Sequence, residues 1–289
     1  MSETLDRRRH AYRADLADAQ LEGRVTAERF VAGTKAAIAA PSASCHVRPE
    51  PGAPVDTEML CGEPVAVFEA ADGWCWVQSL ADGYVGYVRL GAVGDAIAAD
   101  MLVKVPLAPV FPGPSIKLPP RQSLPMGALL TAAAAPVEGG GERFHQIAGE
   151  ERYVLAKHLA PLGTPPRDWV ALAERYVGAP YVWGGKTWDG IDCSGLVQLA
   201  LQTSGNTAPR DSDMQAAELG EPLPADAPLV RGDLIFWKGH VGIMVDDTRL
   251  LHANGHFMMT VIEPLASTVA RLDGIGLPVL IRRRVVTGG

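Results

Sequence analysis

The stretch "DGIDCSGLVQLALQ", Asp189 to Gln202, places a single cysteine, Cys193, between a turn signal and a helix. Gly190 and Asp192 interrupt regular structure. After them Leu196, Leu199 and Ala200 recur at helical spacing and predict one buried stripe. A thiol just inside a helix N-terminus lies at the positive end of the helix dipole, beside unpaired backbone N–H groups. Both favour thiolate, the nucleophilic form, so the sequence predicts an ionised Cys193. The same pattern also fits a core cysteine, one of the most buried residue types.

Downstream the period changes from helix to strand. "DLIFW" (Asp233–Trp237), "HVGIMV" (His240–Val245) and "RLLHA" (Arg249–Ala253) are joined by Lys238-Gly239 and by Asp246-Asp247-Thr248. Helices followed by a β-meander predict an α+β domain. Pairing about Asp247 leaves His240 seven residues before the turn centre and His252 five after it. That makes the two imidazoles diagonal neighbours on one face. A nucleophilic cysteine needs a base and a group that orients the base, and Cys193, His240 and His252 supply such a set. Two blander readings remain open at this point. The histidines also suit a hairpin cap and a core position, and the three residues suit a zinc site, though no fourth ligand has suggestive spacing.

Upstream, "GTPPRDW" (Gly163–Trp169) reads as a linker running into the helix "DWVALAERYVG", with Asp168 as N-cap. Before it lie short β-rich runs: "VAVF" (Val65–Phe68), "WCWV" (Trp74–Val77) and "YVGYV" (Tyr84–Val88). The turns Asp72-Gly73 and Asp82-Gly83 separate them and predict a small antiparallel barrel. "RFHQI" (Arg143–Ile147), a "GEE" turn and "RYVLAKHL" (Arg152–Leu159) echo that order and predict a second. Each holds about 60 residues, near the lower limit for an independent domain. The Pro-rich run Val105–Pro125 predicts a long, stiff loop. "RADLADAQLEGRVTAERF" predicts a helix with Leu16, Ala19 and Gln20 on one side, interrupted by Gly23. The expected organisation is a helical leader over 1–40, barrels over 41–98 and 99–163, and an α+β domain over 164–289.

Composition narrows the class of partner. The 289 residues include 26 Lys plus Arg against 33 Asp plus Glu, a net charge of −7, which argues against nucleic acid. With 47% hydrophobic and 20% charged residues the chain reads as globular. No apolar run approaches the ~20 residues that cross a bilayer, so no membrane partner is expected. The arginine cluster near the start precedes no hydrophobic segment, and "AAIAAPSA" (Ala36–Ala43) is short and mostly alanine, so no secretory signal is expected. Cys45, Cys61, Cys75 and Cys193 fit neither a paired zinc spacing nor a dense disulfide framework. They predict reduced thiols in the cytoplasm, with the first three as small buried hydrophobes.

Three segments in order, "PYVWGGKTWDGIDCSGLV", "RGDLIFWKGHVGIMVDD" and "LLHANG", resemble the NlpC/P60 family of papain-like cysteine peptidases from about Thr164 onward. The resemblance implies Cys193 as nucleophile, His240 as general base and acid, and His252 as the residue orienting His240 by accepting its Nδ1–H. It implies no cofactor and no metal. A helical leader, two bacterial SH3-like barrels and this domain together resemble the γ-D-glutamyl-L-diamino acid endopeptidases of murein recycling. The implied substrate is a murein peptide such as L-Ala-γ-D-Glu-diaminopimelate with a free N-terminal L-alanine.

Carried over position by position, Tyr181 of "PYVWGG" is implied beside the thiol as an oxyanion donor, against a packing role beside Trp183. Asp192 and Ser194 are implied as substrate-binding, although helix capping alone accounts for both. Asp211 and Ser212 of "RDSDMQ" are implied to hold the free α-amine. Ser212 and Gln215 also read as an S-x-x-Q capping box. Tyr84 and Glu58 of the first barrel are implied to complete the amine pocket. Two other functions compete with this one: an acyltransferase or amidase on the same scaffold, and a wall-binding protein with an inert catalytic domain. The barrels and the implied amine-pocket residues disfavour the first, since an acyl chain needs an apolar groove, and the complete Cys193, His240 and His252 set disfavours the second.

Overall fold

Asp72 and Gly73 take positive φ values of 51° and 78°, the backbone of a tight hairpin turn between Pro64–Ala71 and Trp74–Ser79. That hairpin is the middle of a seven-stranded antiparallel sheet. Its order is Val55–Leu60, Ser42–His46, Val85–Arg89, Trp74–Ser79, Pro64–Ala71, Thr34–Ile38 and Val93–Asp95. Alternate residues point inward, so Ile38, Cys45, Met59, Val65, Cys75, Val77 and Val88 form one apolar core. The computed structural model describes residues 5–285 and divides into two units, residues 1–103 with 108–161 and residues 104–107 with 162–289.

The expected helical leader is absent among the described residues. Leu16–Asp18 and Arg29–Val31 form a two-stranded parallel pair, and Ala19–Leu21 is a single 3-10 turn capped by Asp18. Contacts with the barrel outweigh helical propensity here. Leu16 and Ala11 are buried against Phe68 and Trp76, while the Arg13 guanidinium lies 4.4 Å from the Trp76 ring and 2.8 Å from Glu69. Thr34–Ile38 is itself a barrel strand, so the first barrel begins near residue 34 and not at 41.

Residues 99–161 form a five-stranded and a three-stranded antiparallel sheet. The Pro-rich run is not one long loop, because it contributes the strands Leu107–Phe111 and Gln122–Pro125. Ala108 and Val110 are fully buried, and Phe111 packs edge-on to Phe144 at 6.0 Å. Period-two burial there overrides the prolines. The two barrels share one unit instead of standing as separate domains. The N–H of Leu129 donates to the carbonyl of Cys61 at 2.7 Å, and Gly62, at φ 76°, leaves no room for a Cβ against Leu129.

In the second unit, helices α1 (Trp169–Glu174), α2 (Cys193–Thr203), α3 (Ser212–Glu218) and α4 (Leu265–Asp273) surround a six-stranded antiparallel sheet. Its strands are β1 (Glu221–Leu223), β2 (Asp233–Trp237), β3 (His240–Met244), β4 (Arg249–Asn254), β5 (Met259–Pro264) and β6 (Ile281–Arg284), in the order β1-β6-β2-β3-β4-β5. Helix α2 packs on β3 and β4, while α4 covers Ile235, Trp237, Met244 and Leu250 with Leu265, Val269 and Leu272. The stripe expected on α2 is too narrow a description, since Gln198 and nearly every other residue of the helix are buried. No helix among the described residues is long and apolar enough to cross a membrane.

Candidate active site

Asp192 sits at extended φ and ψ and accepts the N–H of Gly195 at 2.7 Å, which makes it the N-cap of α2 and Cys193 the first helical residue. Its other oxygen accepts the N–H of Gly184 at 2.8 Å, tying the "WGG" turn to the helix mouth. Gly195 is required for this approach, because a Cβ there would lie 2.5 Å from the carbonyl oxygen of Gly185 and 3.0 Å from Asp192. Composition and spacing alone carried none of this closeness.

Arg210 completes the first turn. It reaches both carboxylate oxygens of Asp192, at 3.0 and 2.6 Å, and donates to the Ser194 hydroxyl at 2.9 Å. Arg210 is 1% exposed and Asp192 6%. Gln215 donates to the carbonyls of Ser194 and Pro209, both at 2.9 Å. Two anchors, at 210 and 215, therefore fasten the "RDSDMQ" segment to the residues on either side of Cys193. The expected capping box does not form: Asp211, not Ser212, is the N-cap residue of α3, and the amide of Gln215 is spent on the α2 side. Asp192 and Ser194, expected to bind substrate, bond within this brace. Asp211 and Ser212 lie between its anchors, both half-buried.

Strands β3 and β4 pair Ile243 with Leu251 and Met244 with Leu250, the register centred on Asp247 that the sequence predicts. His240 and His252 are diagonal, and His240 Nε2 lies 2.8 Å from His252 Nδ1. The nitrogen engaged by His252 is thus Nε2, where Nδ1 was expected. The ring orientation imposed by the β3 backbone and by Trp237, 5.7 Å away between ring centroids, leaves Nδ1 as the nitrogen not held by His252. Behind the pair stands a residue that the sequence reading missed. Glu263 Oε1 lies 2.9 Å from His252 Nε2, and the Arg271 guanidinium forks onto the same carboxylate, with Nη1 3.1 Å from Oε2. Strand parity carries the signal for it: β4 and β5 pair His252 with Val261, so Glu263 projects from the same face as the residue opposite His252.

Burial is the dominant electrostatic influence. It pushes the Cys193 thiol up to about 12, helped by the Asp192 charge and opposed by the Val241 and Ser194 backbone N–H groups, which hydrogen-bond to the sulfur. Burial and the neighbouring His252 push His240 down to about 3, and burial lowers His252 to about 4 against the pull of Glu263. Burial raises the Glu263 carboxyl, but the hydrogen bonds and charge of Arg271 reverse this and bring it down to about 2. The ionised thiol expected from the helix dipole is corrected accordingly, because desolvation in a closed site outweighs the dipole. At neutral pH these influences favour a neutral thiol, two neutral imidazoles and an ionised Glu263.

The bond from the Val241 N–H brings the thiol to the residue next to His240, so Cys193, His240 and His252 gather at one place. Tyr181 joins them. Its strand bridge to Ile191 sets it near Cys193, two residues further along the chain, and its hydroxyl, pushed up to about 12 by burial and then by Cys193, stays protonated. Its neighbour Trp183 is 68% exposed, so the two do not form a packed aromatic pair. Glu58 and Tyr84 belong to the other unit. Glu58 lies mid-strand with Ser42 Oγ at 3.3 Å, and Tyr84 is buried just before Val85–Arg89. Cys45 and Cys75 are buried and Cys61 is half-buried, and none of the four cysteines forms a disulfide. Among the described residues no group of three or more His, Cys, Asp or Glu is arranged to hold a metal ion.

Residues 178–269 match the NlpC/P60 family and residues 46–93 match the bacterial dipeptidyl-peptidase SH3 domain. The chain is 27% identical over 238 residues to dipeptidyl-peptidase 6 of Lysinibacillus sphaericus, covering 76% of this chain and 87% of that one. It is 27% identical over 222 residues to the gamma-D-glutamyl-L-lysine dipeptidyl-peptidase of Bacillus subtilis (strain 168), covering 69% and 72% respectively. The crystal structure of an NlpC/P60 family protein from Bacillus cereus ATCC 10987 shares the fold, with a TM-score of 0.73 at 20% identity over 88% of this chain and all of that one.

Proposed function

Starting from a chain that carries an NlpC/P60 domain behind a bacterial SH3 domain, we propose a cysteine peptidase that hydrolyses the γ-D-Glu–diamino acid bond of murein peptides with a free N-terminal L-Ala. The observation that carries the reading is the hydrogen-bonded His240–His252 pair next to a cysteine at the first position of a helix. The names of the two relatives support the bond, since both are dipeptidyl-peptidases and one is named for γ-D-glutamyl-L-lysine.

The chemistry starts from neutral partners. Cys193 Sγ attacks the γ-carbonyl carbon as its proton passes to His240 Nδ1, the nitrogen left available by His252. Tyr181 and the N-terminal turn of α2 donate to the oxyanion. Collapse of the tetrahedral adduct breaks the C–N bond, and His240 returns the proton to the leaving amine of the diamino acid. Water, deprotonated by His240, then hydrolyses the thioester and frees L-Ala-D-Glu and the thiol. Asp211 and Ser212 are assigned the substrate's α-amine, supported by the anchoring of their segment to both neighbours of Cys193. We propose a role in cytoplasmic peptide recycling, in keeping with selection of a peptide whose N-terminus is free.

The test is mass spectrometry of L-Ala-γ-D-Glu-meso-diaminopimelate and of its L-lysine counterpart, each free and N-acetylated, with the protein and with Cys193→Ala. The expected result is L-Ala-D-Glu from free peptides only, and none with the variant. Equal cleavage of acetylated peptide removes the amine assignment, and no cleavage by folded protein removes the proposed substrate.

A further inference from the structure

The site is longer than a nucleophile, a base and an orienting residue. Glu263, on β5, and Arg271, on α4, extend it beyond His252 on the side away from His240. His252 is 1% exposed, so both of its ring nitrogens must find protein partners, and they do, at 2.8 and 2.9 Å. We propose that Glu263 is a positioning residue that fixes the tautomers of both histidines and thereby aims an unprotonated His240 Nδ1 at the thiol. The inference rests on the reading of Cys193 and His240 as nucleophile and base.

The logic is one of donors and acceptors. A carboxylate only accepts, so the His252 nitrogen facing Glu263 carries a proton. A neutral His252 then has a bare Nδ1, which only accepts. His240 Nε2 across from it must therefore be the donor, and His240 Nδ1 must be bare. Each assignment forces the next, and the chain begins at Glu263. Without a fixed acceptor behind it, His252 is equally able to reverse, presenting Nδ1–H to His240 Nε2 and placing the proton of His240 on the nitrogen meant to receive the thiol's.

Arg271 makes the starting point dependable. Its fork takes both oxygens of Glu263, so the carboxylate cannot rotate away from His252, and its charge keeps the carboxyl ionised. The arrangement also assists after proton transfer. When His240 becomes an imidazolium, the negative charge of Glu263 acts on it through one intervening ring, in the way a buried carboxylate stabilises a catalytic imidazolium directly.

The closing experiment uses the full chain and three readouts. Nitrogen-15 NMR of the unaltered protein at pH 7.5 is expected to show His240 protonated at Nε2 and bare at Nδ1, and His252 protonated at Nε2. Glu263→Met removes the acceptor, and is expected to give mixed tautomers and a kcat lower by on the order of 10²-fold, with KM changed less than about threefold. Glu263→Gln keeps an acceptor but no charge, and is expected to retain the tautomers and lose about 10-fold in kcat. Alkylation of Cys193 by iodoacetamide, read at its own peptide, needs no substrate and is expected to slow in Glu263→Met and in His240→Ala. A protonated His240 Nδ1 in the unaltered protein overturns the inference even if every variant fails to fold. So does a folded Glu263→Met variant with unchanged tautomers and alkylation. Alkylation indifferent to His240→Ala instead overturns the reading of the base itself.

Discussion

Replacing Asp192 by alanine removes a carboxylate that accepts five hydrogen bonds: two from Arg210 and one each from the Gly195 N–H, the Gly184 N–H and the Ser194 hydroxyl. Three costs add. Breaking a buried ion pair by deleting one partner costs about 3–5 kcal/mol, because Arg210, 1% exposed, is left with its charge uncompensated. Losing the cap of α2 costs about 1 kcal/mol. Orphaning the Gly184 N–H costs about 1 kcal/mol or more. The expected loss is about 5–7 kcal/mol, which for a unit of this size lowers Tm by about 15–35 °C. Arg210→Met spares the cap and the Gly184 bond, so its expected loss is nearer 3 kcal/mol. In the double variant the two losses are expected to fall short of their sum by about 2 kcal/mol or more, since neither charge then remains buried alone. Scanning calorimetry of the full chain reads the transition of the unit that carries the site. An Asp192→Ala transition within a few degrees of the parent, or strictly additive losses, refutes the view of this pair as the brace of the turn that carries Cys193.

The histidines predict an acid-sensitive fold. Both are held below the ordinary value of 6.5, so between there and about 4 the unfolded chain binds more protons than the folded one. Their stabilising contribution is complete above pH 6.5 and falls by up to about 1.4 kcal/mol per pH unit for each histidine below it. A Tm unchanged between pH 7.5 and 5.0 contradicts this. With its thiol pushed up to about 12, Cys193 is expected to react with iodoacetamide at a rate that keeps rising well above neutral pH, whereas a plateau reached by pH 5 marks a preformed ion pair. Gly195→Ala gains helix propensity yet drives a Cβ to 2.5 Å from the Gly185 carbonyl. A net loss of about 1–3 kcal/mol is expected, and a stabilised variant disproves the close approach.

Local chemistry made part of this molecule legible. Asp72-Gly73 announces its hairpin because both residues tolerate positive φ, and Asp246-Asp247-Thr248 sets a register that puts His240 diagonal to His252. The N-terminal segment was opaque because its structure comes from Trp76, Phe68 and Glu69, more than 50 residues away in sequence, and not from its own periodicity. The Pro-rich run concealed two strands for a similar reason: the partner of Val110 is Val154. Glu263 was invisible because it reaches His252 across a hairpin, where the only mark is the parity of β5. The charge state of Cys193 was misjudged because the dipole is a local feature and burial is a property of the whole unit.

The two anchors at Arg210 and Gln215 also bear on how this site can change. Both pegs lie outside the stretch Asp211–Met214, and both are driven into the turn that carries Cys193. The bonds of these anchors are made by the side chains of Arg210 and Gln215 themselves, so none of them is lost when Asp211 or Ser212 is exchanged for another residue. Exchange of the whole loop without its pegs instead releases the turn that carries Cys193.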